Sequence, residues 1–415
     1  MNSKLFFSAV LSTLLLVSCS SDDDGNQPII DPDQGGPDLI DAPASYAFTR
    51  DGESSVSYGG QITRLAQSDY LYAALNSETD FSTLDLMFNG NADGQSDGFP
   101  DADLNGTSKI IGSKTSSSAL SGSSVVKQKF NDMISDFSDN VVPNWSVDAV
   151  PGTAGVISTP DGQSSYNVNA MGQEIDQTFF KGLIGAFTLD QIINNYIHPN
   201  QLDSGSRRVD NDNGVLDGDS NYTEMEHKWD EAFGYLYGHD DPSDTSTFGS
   251  DPSGEGNLLM KYFEKVDGPD GYDPGIGQTV YDAFILGRTA IVNRDYELRD
   301  QQAAIIKVEL SKVIGYYAIH YMNSYLDKLA DGNLAGALHS ISEGHGFIRS
   351  LQFTNTGNDI PFMSEDDVEY FLENYMSDFY TIDPVVFLAP IDAPYPGMIA
   401  LIKQAFEANG VTLNI

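Results

Sequence analysis

Two stretches of this chain constrain its architecture more than any others. Gln173 to Tyr196 (QEIDQTFFKGLIGAFTLDQIINNY) and Gln302 to Leu329 (QAAIIKVELSKVIGYYAIHYMNSYLDKL) carry apolar side chains around most of the helical circumference. A helix with no face to offer to water must be buried in the middle of something, so both predict central helices. Shorter amphipathic spacings predict helices over Ile62 to Leu75, Val126 to Phe137, Tyr222 to Tyr237, Leu258 to Val266, Thr279 to Leu286, Leu334 to Leu351, Asp366 to Met376 and Pro396 to Ala408. Strand alternation is scarce, with Val156 to Thr159 offering at most a short ribbon. The expected fold is all-α over residues 45–415, and two buried helices in separate halves suit a pair of adjoining bundles. Long Asp/Gly-rich loops separate the helices: Asn89 to Thr107, Asp139 to Asn169, Asp203 to Asn221 and Asp240 to Glu255. Loops of that length are usually functional or mobile.

The first eighteen residues read as an address. Lys4 supplies a positive start, and Leu5 to Val17 is a 13-residue, mostly apolar run too short to span a bilayer as a helix. It ends in Leu16-Val17-Ser18-Cys19, which resembles the bacterial lipobox, and Cys19 is the one cysteine in the chain. Cleavage before Cys19 and acylation of its sulfur and new amino group would leave neither a free thiol nor a disulfide. Each buried CH₂ of an acyl chain contributes about 0.8 kcal/mol to anchoring. Residues 19–44, rich in Asp, Pro, Gly and Ser, then form a tether spanning about 25–30 Å. Ser20-Ser21-Asp22-Asp23-Asp24 is similar to the acidic tag that directs some bacterial lipoproteins to the outer face of the outer membrane, and it equally reads as a solvated linker.

Charge narrows the partners. Asp and Glu number 61 against 21 Lys and Arg, for a formal net charge of −40, and 46 of the acids are aspartate. Nucleic acid and anionic membrane surfaces both require concentrated positive charge, so the balance argues against them. Aspartate favours turns, caps and hard cations over helix interiors, which directs attention to the loops. Asp101-x-Asp103-x-Asn105-Gly106 reproduces the first six positions of the helix-loop-helix calcium pattern, although its twelfth position is Gly112 rather than Glu. Asp210 to Asp219 (DNDNGVLDGD), with Asp210, Asp212 and Asp217, fits that pattern less well but leads directly into the next helix.

That helix has the greatest chemical content. On a wheel, Met225, Trp229, Ala232, Phe233 and Leu236 form an apolar stripe, while Glu224, His227, Glu231 and Tyr235 line the other side beside Gly234 and Gly238. The spacing stacks Glu224, His227 and Glu231 in one row that a single metal ion or proton relay could touch. Two blander readings stand beside it. Asn221-x-x-Glu224 fits a capping box, and His227 with Glu231 fits an exposed ion pair. A second glycine-bearing helix, with Gly344 and Gly346, and Lys181-Gly182-Leu183-Ile184-Gly185-Ala186 call for close helix packing or ligand approach. No His-Glu-x-x-His, Gly-x-Ser-x-Gly or phosphate-binding loop is present.

The lipobox, Tyr46-Ala47-Phe48, Gln173-Glu174-Ile175-Asp176-Gln177 with Lys181 to Ala186, Met225 to Tyr235, and Ser342-Glu343-Gly344 together resemble a family of bacterial lipoproteins designated only as a domain of unknown function. That family is distantly similar to imelysins, all-helical extracytoplasmic proteins with two bundles, linked to iron uptake and once classed as peptidases. The resemblance implies an imelysin-like pair of bundles. Imelysins carry Gly-x-His-x-x-Glu, whereas this chain, aligned on His227, has Met225 and Asp230 in place of Gly and Glu. The expectation is therefore an outer-membrane lipoprotein held by Cys19, a non-enzymatic binding or accessory protein in envelope metal or nutrient uptake, with calcium or iron as candidate ions. The alternatives are a metallohydrolase of imelysin descent, or a structural partner of another envelope protein docking through the Gly234/Gly238 face.

Overall fold

Helices dominate the chain wherever apolar spacing supports them. The computed structural model describes residues 39–118, 124–238 and 258–415. The signal segment, Cys19, most of the tether and the Asp240 to Glu255 loop lie outside the described residues. A two-residue hairpin, β1 (Thr49–Arg50) and β2 (Glu53–Ser54), precedes α1 (Gly59–Ala74), α2 (Phe81–Asn89) and α3 (Ser124–Asp136). The ribbon over Val156 to Thr159 forms as β3 (Gly155–Ser158), paired antiparallel with β4 (Ser165–Val168). There follow α4 (Ile175–Leu183), α5 (Pro199–Leu202), α6 (Arg207–Asp212), α7 (Glu224–Tyr237), α8 (Leu259–Asp267), α9 (Ile276–Asn293), α10 (Tyr296–Ala330), α11 (Leu334–Ser350), α12 (Glu365–Tyr375), α13 (Val385–Leu388) and α14 (Met398–Glu407). The Asp203 to Asn221 segment, expected as a loop, thus contains α6, and α9 is longer than the Thr279 to Leu286 spacing indicated. Leu39–Ile415 packs as one unit. Among the described residues no helix is long and apolar enough to cross a membrane.

The two predicted central helices are central. Helix α10 runs 35 residues, about 50 Å at 1.5 Å per residue, and packs against α9 on one side and α11 on the other. Helix α4 lies against α11 and continues without a break into a π-helical stretch, Ile184–Tyr196, buried almost throughout. The change of winding has a local cause. In an α-helix the Gly185 N–H would bond the Lys181 carbonyl, but the Ser350 hydroxyl of α11 stands between them. It accepts from Gly185 N at 3.1 Å and lies 2.8 Å from the Lys181 oxygen, to which it can donate. A side chain inserted into the ladder is one of the few causes of such a disturbance. The insertion requires glycine, since a Cβ on Gly185 would overlap Ser350, and one on Gly346 would overlap Lys181 and the Gly182 nitrogen. Gly185 and Gly346 therefore serve the contact of α4 and its π-helical continuation with α11.

Candidate functional site

Helix α7 starts two residues later than the Asn221/Glu224 box would place it. Thr223 is the N-cap, and Glu226 is its reciprocal partner: Glu226 N donates to Thr223 Oγ1 at 3.3 Å and Thr223 N to Glu226 Oε2 at 2.7 Å. Asn221 is occupied elsewhere, donating to the Arg50 carbonyl at 2.9 Å and so fixing the β1–β2 hairpin to the helix start. The inner face of α7 is covered by the strap of residues 45–58. Tyr46 stacks on Phe233 with ring centroids 3.7 Å apart, and its hydroxyl donates to Asp230 Oδ1 at 2.7 Å.

Beneath the strap two carboxylates meet two guanidiniums. Arg50 grips Glu226 with both terminal nitrogens, at 2.8 and 3.0 Å. Arg288 from α9, fully buried, reaches Glu226 at 3.0 Å and Asp230 at 3.0 Å, and donates to the Ser55 carbonyl at 3.1 Å. Asp230 also accepts from Ser57 N at 3.1 Å. Burial pushes the Asp230 carboxyl up to about 6, against the opposing pull of Arg288 and Tyr46. Burial likewise opposes Glu226, yet Arg288 and Arg50 hold it below the usual range. Sequence reasoning noted Asp230 only as a departure from the imelysin motif and passed over Glu226. The i, i+4 spacing of the two on the apolar side of α7 was the available signal.

The outward row is engaged residue by residue. Glu224 pairs with Arg207 at 2.6 Å, which lowers its carboxyl below the ordinary value. His227 donates from Nδ1 to the Ser57 carbonyl at 3.0 Å and stacks on Tyr222, and burial keeps its ring less basic than usual. Glu231 binds Lys228 at 2.6 Å and accepts from Gln61 at 3.0 Å. Tyr235, expected on this polar side, is buried, with Phe187 and Tyr196 against its ring. Asp210 and Asp212 belong to α6; the first accepts from Ser206 and the second from Tyr296, each at 2.5 Å, while Asp217 is exposed. In the other loop Asp101 caps a single 3₁₀ turn through Asp103 N, and Asn105 bonds the Phe99 backbone in both directions. Glu224 is thus bound apart from His227 and Glu231, while His227 Nε2 and Glu231 lie 4.0 Å apart as an i, i+4 pair, half-buried rather than exposed. Among the described residues no group of three or more His, Cys, Asp or Glu side chains is placed to hold a metal ion.

The glycines have occupants from this same chain. Tyr58 fills the space beside Gly234, Leu65 lies 3.0 Å from where a Cβ on Gly238 would stand, and Tyr321 lies 3.3 Å from where one on Gly344 would stand. The Gly234/Gly238 face is therefore the seat of the strap and of α1. Next to it, a cavity of about 530 Å³ opens among Ser45, Ser54, Val56, Ser57, Tyr58 and Ile62. Ser57 joins this cavity to both His227 and Asp230.

A second concentration of buried titratable groups lies where α4 meets α11. Glu174 accepts from His339 Nδ1 at 2.6 Å, and His339 Nε2 lies 3.5 Å from Glu343. Burial raises Glu174 to about 7, with His339 opposing. Burial would lower His339, but Glu174 and Glu343 outweigh it and raise the ring. Lys181 sits between the rings of Tyr72 and Tyr262 and reaches Glu343 at 3.4 Å. Glu343 and Glu174 approach opposite nitrogens of His339, so the group is a proton-sharing chain rather than a common ligand set.

A family profile described as a domain of unknown function (DUF4856) matches residues 43–383. It spans the strap, α4, α7 and α11, including both charged clusters. No curated protein and no solved structure matches the chain.

Proposed function

From the premise that the chain belongs to the family of that domain of unknown function, we propose a membrane-anchored extracytoplasmic lipoprotein that binds a ligand in envelope nutrient uptake and catalyses no reaction. Cys19 carries the anchor in this reading, residues 19–44 hold the body off an outer membrane, and the imelysin-like pairing of two bundles is its finer architecture. The observation that carries the binding role is the cavity of about 530 Å³ between the strap and the first turn of α1. Its walls are hydroxyls, backbone and apolar side chains, and the charged groups behind it are committed to partners within the chain. A volume in this range suits a small organic ligand. Such a ligand fits the walls better than a bare cation does, given how Glu224, His227 and Glu231 are bound.

Native mass spectrometry of the full chain purified from membranes tests the proposal. The expected spectrum retains a small organic mass that is lost in Ile62→Trp, a substitution at a partly exposed wall residue that fills the cavity. An identical spectrum for both proteins, or a retained metal ion alone, contradicts it. The anchor is tested separately: Cys19→Ser should abolish acylation and release the protein from the membrane fraction. The metallohydrolase alternative requires His227-dependent cleavage, so His227→Ala leaving hydrolysis intact removes it.

A further inference from the structure

On the other side of α1 from the cavity, the charge balance of the molecule reverses. The chain carries 21 basic side chains against 61 acidic ones, yet around the α1–α7 contact Arg64, Lys109, Lys114 and Lys228 gather about one carboxylate, Glu231. Lys114 and Lys228 both lie against the Tyr196 ring, at 5.3 and 5.8 Å from its centroid. Lys109 packs on Gly60, its Nζ 3.1 Å from where a Cβ would stand. Glu231 is already taken by Lys228 at 2.6 Å. Among the described residues none of Arg64, Lys109 and Lys114 has a carboxylate within ion-pairing distance.

Arg64 makes this arrangement costly. It is only 5% exposed; it reaches the Gly60 carbonyl of its own helix at 3.4 Å, and its Nε has no hydrogen-bond partner among the described residues. The buried Tyr235 hydroxyl faces this guanidinium and has no carboxylate or carbonyl partner of its own among the described residues. Arginine is almost never buried without a counter-charge, because the guanidinium gives up its hydration for nothing. The Lys114 ammonium registers the same imbalance: burial lowers its affinity for a proton, Arg64 adds to this, Glu231 opposes it, and Lys228 and Lys109 lower it further.

We infer that Arg64, Lys109, Lys114 and Lys228, with the Tyr235 hydroxyl, form a binding site for a dianionic oxyanion of the phosphate class. Four cations facing one carboxylate leave room for a doubly charged guest. A guanidinium with a free Nε–H offers the planar, directional donors that phosphate oxygens accept. The site shares no residue with the cavity between the strap and α1, so either assignment can fail without the other.

Isothermal titration of inorganic phosphate into the detergent-solubilised full chain tests the inference, with chloride at matched ionic strength as the reference. The expected result is saturable binding and a rise in melting temperature beyond that given by chloride. Lys114→Gln, at a half-buried position, should weaken phosphate binding about tenfold, the loss of one charge-assisted contact. Glu231→Gln should tighten it, a change of opposite sign that a general loss of structure would not produce. Lys129→Gln, remote and paired with Glu369 and Glu373, should leave it unchanged. Absence of saturable binding, or equal affinity in native protein and Lys114→Gln, overturns the assignment.

Discussion

Two charged clusters lie on opposite sides of α7, and they are built on different balances. Under the strap, Glu226 and Asp230 face Arg50 and Arg288, two charges against two, with hydroxyl and backbone donors filling the remaining positions. Around Glu231, four cations face one carboxylate. Each cluster holds one buried guanidinium nitrogen without a hydrogen bond, but Arg288 Nη1 in the first lies 3.0 Å from Glu226, whereas Arg64 Nε in the second has no carboxylate in reach. The first cluster is complete within the chain and locks the strap onto the helix. The second is incomplete within the chain, which is the expected condition of a surface built for something from outside. Burial alone separates neither case; the balance of charges does.

The largest effect should come from breaking the balanced cluster. Arg288→Met leaves Glu226 and Asp230 buried without their shared cation, and breaking a buried pair from one side costs about 3–5 kcal/mol. Urea unfolding should show a loss of that order, and a loss below about 1 kcal/mol would mean the cluster is not the lock described. Next in size is a change that leaves every charge in place. Gly234→Leu would displace Tyr58 and lift the strap from α7, at about 1–3 kcal/mol for overpacking. A smaller loss there than for Arg288→Met separates steric seating from charge balance.

The dependence on pH sharpens the contrast further. Asp230 and Glu174 are raised by burial to about 6 and about 7, from ordinary values of 3.8 and 4.5. The folded state therefore holds protons that the unfolded chain has released. Stability from these groups is full at low pH and is lost as pH rises through those windows, by up to about 1.4 kcal/mol per pH unit for each group. Glu369 runs the other way. Burial opposes it, but Arg349 and Lys129 hold it at about 2, so its contribution is full above 4.5 and is lost as pH falls from there to about 2. Glu174→Gln should flatten the decline between about pH 5 and 7 in denaturant titrations, and an unchanged slope would sink the assignment. The smallest stability effect belongs to the open cluster: in the absence of phosphate, Lys114→Gln should shift stability by no more than about 0.5 kcal/mol.

Much of the helical body was legible from periodicity because the signal is local. Apolar residues all round Gln173 to Tyr196 and Gln302 to Leu329 indicated burial, and both helices are central. The winding change after Leu183 was not legible, since it depends on Ser350 from another helix. The cap of α7 was misplaced by two residues because Asn221, a good capping residue, is drawn to the Arg50 carbonyl. The site suffered most from distance along the chain. Glu224, His227 and Glu231 do fall along one outer stretch of α7, as their spacing indicated, but their partners Arg207, Ser57 and Gln61 were not visible from it. Arg288 is 58 positions beyond Asp230 in the chain, and nothing local marks the two as a pair. The lowest-contrast signal, four basic residues scattered from 64 to 228 in a chain of charge −40, becomes informative only once folding brings them together.

The most direct measurement of the difference between the two clusters is calorimetric titration of phosphate into native protein, Lys114→Gln and Glu231→Gln at one ionic strength. Saturable binding that falls about tenfold in the first variant and strengthens in the second is the predicted result. No phosphate binding above the chloride reference, or affinities that ignore both substitutions, would contradict the account.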